Sequence, residues 1–207
     1  MALQPAPCVT QGGEPSRGGG ILDSAVQNRS YTQNKGYICA RMSRPSKISA
    51  GLLAFRRRNR LEVLLAHPGG PFWAKKDDGA WTIPKGLVES GADLFATAQR
   101  EFGEETNLNA TGEFVALAPV KLKGGKLLHA WAFEADFDLA TFASNTFELE
   151  WPPRSGRRRS FPEIDRIAYF PFAAATTKIL PYQRPLLREL VALIAQSAIG
   201  AGSHQQR

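Results

Sequence analysis

Residues Pro84–Leu108, PKGLVESGADLFATAQREFGEETNL, hold the pattern that decides the fold. Their second half is dense in carboxylates. Glu101, Glu104 and Glu105 stand at i, i+3 and i+4, so a helix gathers them on one face. Like charges in one patch repel one another, and an ordinary surface helix gains nothing from that. The pattern makes sense around a hard divalent cation, because Mg²⁺ takes oxygen ligands and keeps waters and substrate phosphate oxygens in its shell. Phe95, Ala98 and Phe102 recur at helical spacing beside the acidic face and mark a buried stripe. Asp93 is placed to cap the amino end, which predicts a helix over Leu94–Thr106. Asn107 tolerates the left-handed conformation that ends a helix.

Outward from this segment the text alternates between strands and turns. Ile48–Phe55 and Leu61–Ala66 read as strands joined by the basic turn Arg56–Arg60, expected to be a solvated tip. His67-Pro68-Gly69-Gly70-Pro71 stops the second strand, and Phe72 and Trp73 follow on a loop. Trp81–Ile83, Phe114–Val120, Leu127–Phe137 and Ile164–Phe170 read as further strands, with Lys123-Gly124-Gly125-Lys126 turning between the third- and second-last of them. Arg154, Arg157, Arg158 and Arg159 fall in an irregular Pro/Gly/Ser insertion, expected to be a mobile basic loop. Pro185–Ile199 has the spacing of an amphipathic helix with proline in its first turn. Strands interleaved with helices predict an α/β fold in which helices cover a mixed sheet.

The segment Gly86–Leu108 resembles the Nudix box, G-x5-E-x7-R-E-U-x-E-E-x-G-U with U a bulky aliphatic residue. Gly86, Arg100, Glu101, Glu104, Glu105 and Leu108 take their positions at the correct spacing, with the aromatic Phe102 at the first U. Ala92 replaces the first glutamate of the box and Asn107 its last glycine. The lead-in Trp81-Thr82-Ile83-Pro84-Lys85-Gly86 is similar to the W-x-x-P-K-G of members that cleave dinucleoside polyphosphates or diphosphoinositol phosphates. The resemblance implies a Nudix-type α/β/α sandwich with a mixed β-sheet between helices. It also implies a Mg²⁺-dependent pyrophosphohydrolase, with Mn²⁺ as the alternative metal. In the family the missing glutamate supports the box, often by engaging its arginine, or approaches a metal, so the resemblance implies that Ala92 loosens the structural residue Arg100 and weakens metal binding without removing the three principal ligands.

Cleavage of a phosphoanhydride needs charge stabilisation and an aligned water. Glu101, Glu104 and Glu105 are the candidate metal ligands, and Glu101 or Glu104 is the candidate base, the spacing not choosing between them. The resemblance adds the carbonyl of Gly86 and a carboxylate from a remote loop, for which Glu163 is first choice by position and Glu148 and Glu150 are reserves. Lys85, beside the glycine, is placed to neutralise a substrate phosphate. Lys121, Lys123, Lys126 and His129 gather positive or protonatable groups along the hairpin after the box, and Lys126 and His129 are candidate substrate contacts. Phe72, Trp73 and Tyr182 offer rings for a base, with Trp73 preferred.

Length and composition agree with one core plus tails: residues 1–44 as a disordered extension, 45–199 as the domain and 200–207 as a flexible tail. Met42 is a candidate true start. A net charge of +7 suits an anionic substrate such as a nucleotide or another polyphosphate. Both cysteines, Cys8 and Cys39, precede the domain, which excludes a disulfide framework there and agrees with a cytoplasmic setting. No apolar run suits a membrane span, and no sequence motif for nucleic acid is present. The favoured function is hydrolysis of a dinucleoside polyphosphate, such as diadenosine tetraphosphate, or an NTP. The alternative, kept open by Ala92, is a non-catalytic nucleotide-binding or sensing module. The pattern is silent on oligomeric state.

Overall fold

The computed structural model describes residues 48–202. The expected extension at 1–44, the start at Met42 and tail residues 203–207 lie outside the described residues. Strand β1 (Ile48–Arg57) is central and buried from Ser49 to Phe55, so its sequence reads as a continuous apolar run rather than an alternating one. Strand β5 (Leu127–Glu134) pairs with it in parallel along one side. Along the other side, β3 (Lys85–Leu87) takes Ser49–Gly51 and β2 (Leu61–Pro68) takes Phe55–Arg57, both antiparallel. The edges are β4 (Phe114–Lys121) and β8 (Ile164–Pro171), giving the order β4-β5-β1-β2-β8. A parallel pair cannot be closed by a hairpin, and α1 (Leu94–Thr106) lies within the crossover that joins β1 to β5.

Helices cover both faces, as the α/β/α reading expects. Ala98 and Phe102 of α1 pack with Ala50, Leu52, Ala54, Leu64 and Phe133. On the opposite face, Ala175 of α2 (Phe172–Lys178) and Leu186, Leu187 and Leu190 of α3 (Arg184–Gly202) pack with Leu53, Leu65, Leu128 and Ala130. Strand β3 approaches β1 closely enough to demand a glycine. A Cβ on Gly51 would stand 2.5 Å from the Pro84 carbonyl oxygen and 2.7 Å from Lys85 Cβ. The Leu52 N–H donates to that same carbonyl at 3.1 Å.

The helix bearing the carboxylates has its expected limits. Asp93 accepts from the Ala96 N–H at 2.7 Å, a cap of about 1 kcal/mol, and Asn107 closes the other end at φ 57°.

Several local expectations are corrected. Trp81 and Thr82 form isolated bridges to Ile179 and Ala66, and the regular strand lies later, at Lys85–Leu87. The irregular basic insertion contains a hairpin, β6 (Thr146–Glu150) with β7 (Arg158–Pro162). Cross-strand Phe147 and Phe161, and an Arg158–Glu148 ion pair at 3.0 Å, hold it. The arginine turn after β1 is exposed from Arg57 to Arg60, as expected, and is also paired: Arg56 binds Glu62 and Asp136, Arg57 binds Glu134, and Arg58 binds Asp136. The parallel register puts the acidic end of β5 beside the basic end of β1, which local sequence cannot foretell.

Candidate active site

Helix α1 and strand β3 build the site together. Because Phe102 and Ala98 bury one side of α1, the carboxylates on the adjoining side meet the edge of β3. A Cβ on Gly86 would fall 1.8 Å from Glu101 Cδ and about 2 Å from both carboxylate oxygens. The Glu101 carboxylate therefore fills the space a side chain on residue 86 would need. One residue earlier, the Lys85 N–H donates to Glu105 Oε2 at 2.9 Å. Two neighbouring backbone positions of β3 thus hold two of the three carboxylates.

Arg100 spans the other contacts, donating to Glu101 Oε1 and to Glu104 Oε2 at 2.6 Å each. The guanidinium thus pairs with its own acidic face. This strong pairing keeps the guanidinium pKa above its ordinary value, through the hydrogen bonds to Glu104 and Glu101.

Glu105 is the electrostatically stressed member. Burial pushes its carboxyl up to about 7; the Lys85 ammonium and N–H pull it down, and the like charges of Glu101 and Glu163 push it further up. Glu163 is thus within electrostatic reach of the cluster. Its backbone is also stitched there: its N–H donates to the Asn145 carbonyl at 2.8 Å, and the Asn145 N–H donates to the Glu104 carbonyl at 3.3 Å. The reserves are committed elsewhere. Glu148 pairs with Arg158, and Glu150 accepts from the Gly156 N–H at 2.8 Å.

A divalent cation fits this donor set. Clustered carboxylates, one of them raised by burial and then by its acidic neighbours, gain from a positive charge. Among the described residues no group of three or more His, Cys, Asp or Glu side chains is already placed to hold a metal ion.

On the other side of Gly86 opens a cleft of about 320 Å³, lined by Lys85, Lys123, Lys126, Leu122 and Tyr182 among others, with no carboxylate among its described lining. Cation and anion faces therefore adjoin at one glycine. Of the sequence candidates, Lys85, Gly86, Lys123, Lys126 and Tyr182 meet here. His129 does not line the cleft; it pairs across from Ala50, which in turn pairs with Gly86. Being in register, His129 shares the α1 face of the sheet, about 10 Å from Gly86 at two strand spacings. Trp73 stands on the loop after β2, with the Lys76 ammonium 4.5 Å from its ring centre, and does not line the cleft.

Sequence reading missed Gln183 altogether. This buried side chain accepts from the Ile83 N–H at 3.1 Å and donates to Thr82 Oγ1 at 2.8 Å. It locks the lead-in to Gly86 against the turn that carries Tyr182. An uncharged glutamine a hundred residues downstream offers no local signal. A separate cavity of about 260 Å³, between α3 and the ends of β1, β4 and β5, holds no member of the carboxylate cluster.

Residues 45–190 match the family model of the NUDIX domain, and the chain belongs to that family. It is a hydrolase of the class that acts on nucleoside diphosphate derivatives. Solved structures share the fold. A Caenorhabditis elegans Ap4A hydrolase, in a binary complex, aligns over 72% of this chain and 98% of its own at 22% identity, with a TM-score of 0.51. The NUDIX domain of Shewanella oneidensis NrtR, complexed with ADP ribose, aligns over 73% and 90% at 14% identity, with a TM-score of 0.53. A mutT/nudix family protein from Listeria innocua aligns over 76% and 99% at 16% identity, with a TM-score of 0.50. No curated protein matches the chain. No helix among the described residues is long and apolar enough to cross a membrane.

Proposed function

We propose that the chain hydrolyses a phosphoanhydride bond of a nucleoside polyphosphate, a dinucleoside polyphosphate such as diadenosine tetraphosphate or an NTP, with Mg²⁺ or Mn²⁺ at the carboxylate cluster. The observation that carries this reading is the junction at Gly86, with Glu101 packed on one side and the lysine cleft on the other. Glu101, Glu104 and Glu105, with the Gly86 carbonyl and Glu163, would hold the metal. When bound, the metal neutralises phosphate oxygens and acidifies the attacking water.

The residues of the chain divide the remaining work. Glu101 or Glu104 takes a proton from the water, whose oxygen bonds to phosphorus. The bridging P–O bond then breaks, its electron pair leaving with the departing phosphate. Lys85 and Lys126 hold the phosphate chain through charge. His129 approaches from the α1 face. Trp73, on the loop after β2 with the Lys76 ammonium 4.5 Å from its ring centre, is a second candidate ring for the base. A cytoplasmic setting agrees with the cysteine-free domain.

The decisive experiment is Mg²⁺-dependent hydrolysis across NTPs, dinucleoside polyphosphates, nucleotide sugars and inositol pyrophosphates, with products identified by mass. Glu104→Gln and Glu105→Gln are expected to abolish turnover with folding intact; normal rates in either refute the metal assignment. A second reading, a nucleotide-binding module without turnover, draws support from the Arg100 pairs with Glu101 and Glu104 beside Ala92. Nucleotide binding without hydrolysis anywhere in the panel would favour it.

A further inference from the structure

We infer that Tyr182 is the specificity-determining residue of the lysine cleft, receiving the aromatic base of a nucleoside polyphosphate whose phosphate chain runs past Lys123, Lys126 and Lys85 toward Gly86. The inference rests on the reading of this site as a polyphosphate hydrolase and names the part of the substrate that the carboxylate cluster does not touch.

Three rings were available for this role, and two are engaged. Phe72 packs edge-on against Trp151 at 5.4 Å between ring centres. Trp73 carries the Lys76 ammonium over its face. Tyr182 borders the cleft itself, and among the described residues no aromatic ring packs against it. Leu122 lies in the same wall and adds apolar surface beside the phenol. Burial holds the phenol pKa above its ordinary value.

The ring is also held in place. It sits on the turn Pro181–Gln183, between α2 and α3. Next to it, Gln183 is fully buried and bonded to Ile83 and Thr82. The Leu180 N–H donates to the Trp81 carbonyl at 2.7 Å, and the Trp81 N–H to the Lys178 carbonyl at 3.0 Å. The segment bearing Tyr182 is therefore bonded along the segment that ends in Lys85 and Gly86. A ring fixed relative to the glycine can set the distance between a stacked base and the scissile phosphate. A cleft of about 320 Å³ falls within the roughly 300–1,000 Å³ of small-molecule sites. Its lysines favour polyanions of every kind, but only an aromatic head group uses the face of Tyr182. That separates nucleotides from inositol pyrophosphates.

Binding to the full chain under EDTA, which prevents turnover, tests the assignment with two probes: diadenosine tetraphosphate and inorganic tripolyphosphate. Tyr182→Ala should weaken diadenosine tetraphosphate by about tenfold, the effect of losing one base–aromatic stack, and leave tripolyphosphate unchanged. Tyr182→Phe should restore the nucleotide. Unchanged nucleotide affinity in Tyr182→Ala, with Lys126→Ala weakening both probes, overturns the role of Tyr182 while leaving the anion cleft standing. Equal loss of both probes in Tyr182→Ala overturns stacking in favour of a general structural role. Failure of the unaltered chain to bind either probe, in EDTA and again with Ca²⁺ in place of Mg²⁺, overturns both this inference and the reading beneath it.

Discussion

The carboxylate of Glu101 occupies the place of an absent side chain on Gly86, with Cδ 1.8 Å from where a β-carbon would stand. A conformationally permissive residue is not the point here; an empty volume is.

Gly86→Ala should therefore expel Glu101 from the edge of β3 while the sheet keeps its hydrogen bonds. Displacing a reacting group by about 1 Å costs on the order of 100-fold in rate. Turnover of the cleaved substrate should fall by about that factor, with a circular-dichroism melt close to that of the unaltered chain. A rate within a few-fold of normal would show that the carboxylate has another productive position.

Ala92→Glu should offer Arg100 a partner away from the acidic face. Release of Glu101 and Glu104 from their 2.6 Å contacts should tighten Mn²⁺ binding several-fold, read by calorimetry or by the loss of free-ion paramagnetic signal. Activity should rise with it. Unchanged affinity would mean that the position is compensated.

Glu105 makes stability depend on pH in the metal-free chain. Its folded-state carboxyl lies at about 7, above the ordinary 4.5, so between these values the folded chain binds more protons than the unfolded one. Stability should thus be greatest below about pH 4.5 as far as this group is concerned, and decline as pH rises through 7. The loss is on the order of 3 kcal/mol. Urea unfolding of EDTA-treated protein should show this decline, and Glu105→Gln should remove it.

Gln183→Leu should leave the Ile83 N–H and the Thr82 hydroxyl without their buried partner, costing about 1–3 kcal/mol. Denaturant midpoints would register the loss. KM for a nucleoside polyphosphate should rise more than kcat falls, because the turn bearing Tyr182 loosens before the α1 carboxylates move.

The helix was legible because its determinants are local. Asp93, the Phe95–Ala98–Phe102 stripe and Asn107 lie within a few turns of one another, and each acts through helical geometry. The Arg158–Glu148 hairpin was not, because a register between residues separated by a Pro/Gly turn competes with an irregular loop and leaves no strong alternation. Tyr182 was visible as a ring, but its selection over Trp73 depends on which ring borders the lysines.

By itself, the sequence determined the helix, its acidic face and the family to which the box belongs, since spacing along a helix translates directly into a shared face. The tertiary structure alone decided that Lys85 offers its backbone N–H to Glu105, that Gly86 admits Glu101, and that Gln183 ties the turn of Tyr182 to Ile83. Those contacts use backbone groups that every residue has in common, or side chains a hundred positions apart. Only the docking of β3 on β1, and of the chain after α2 beside it, determines which of them meet.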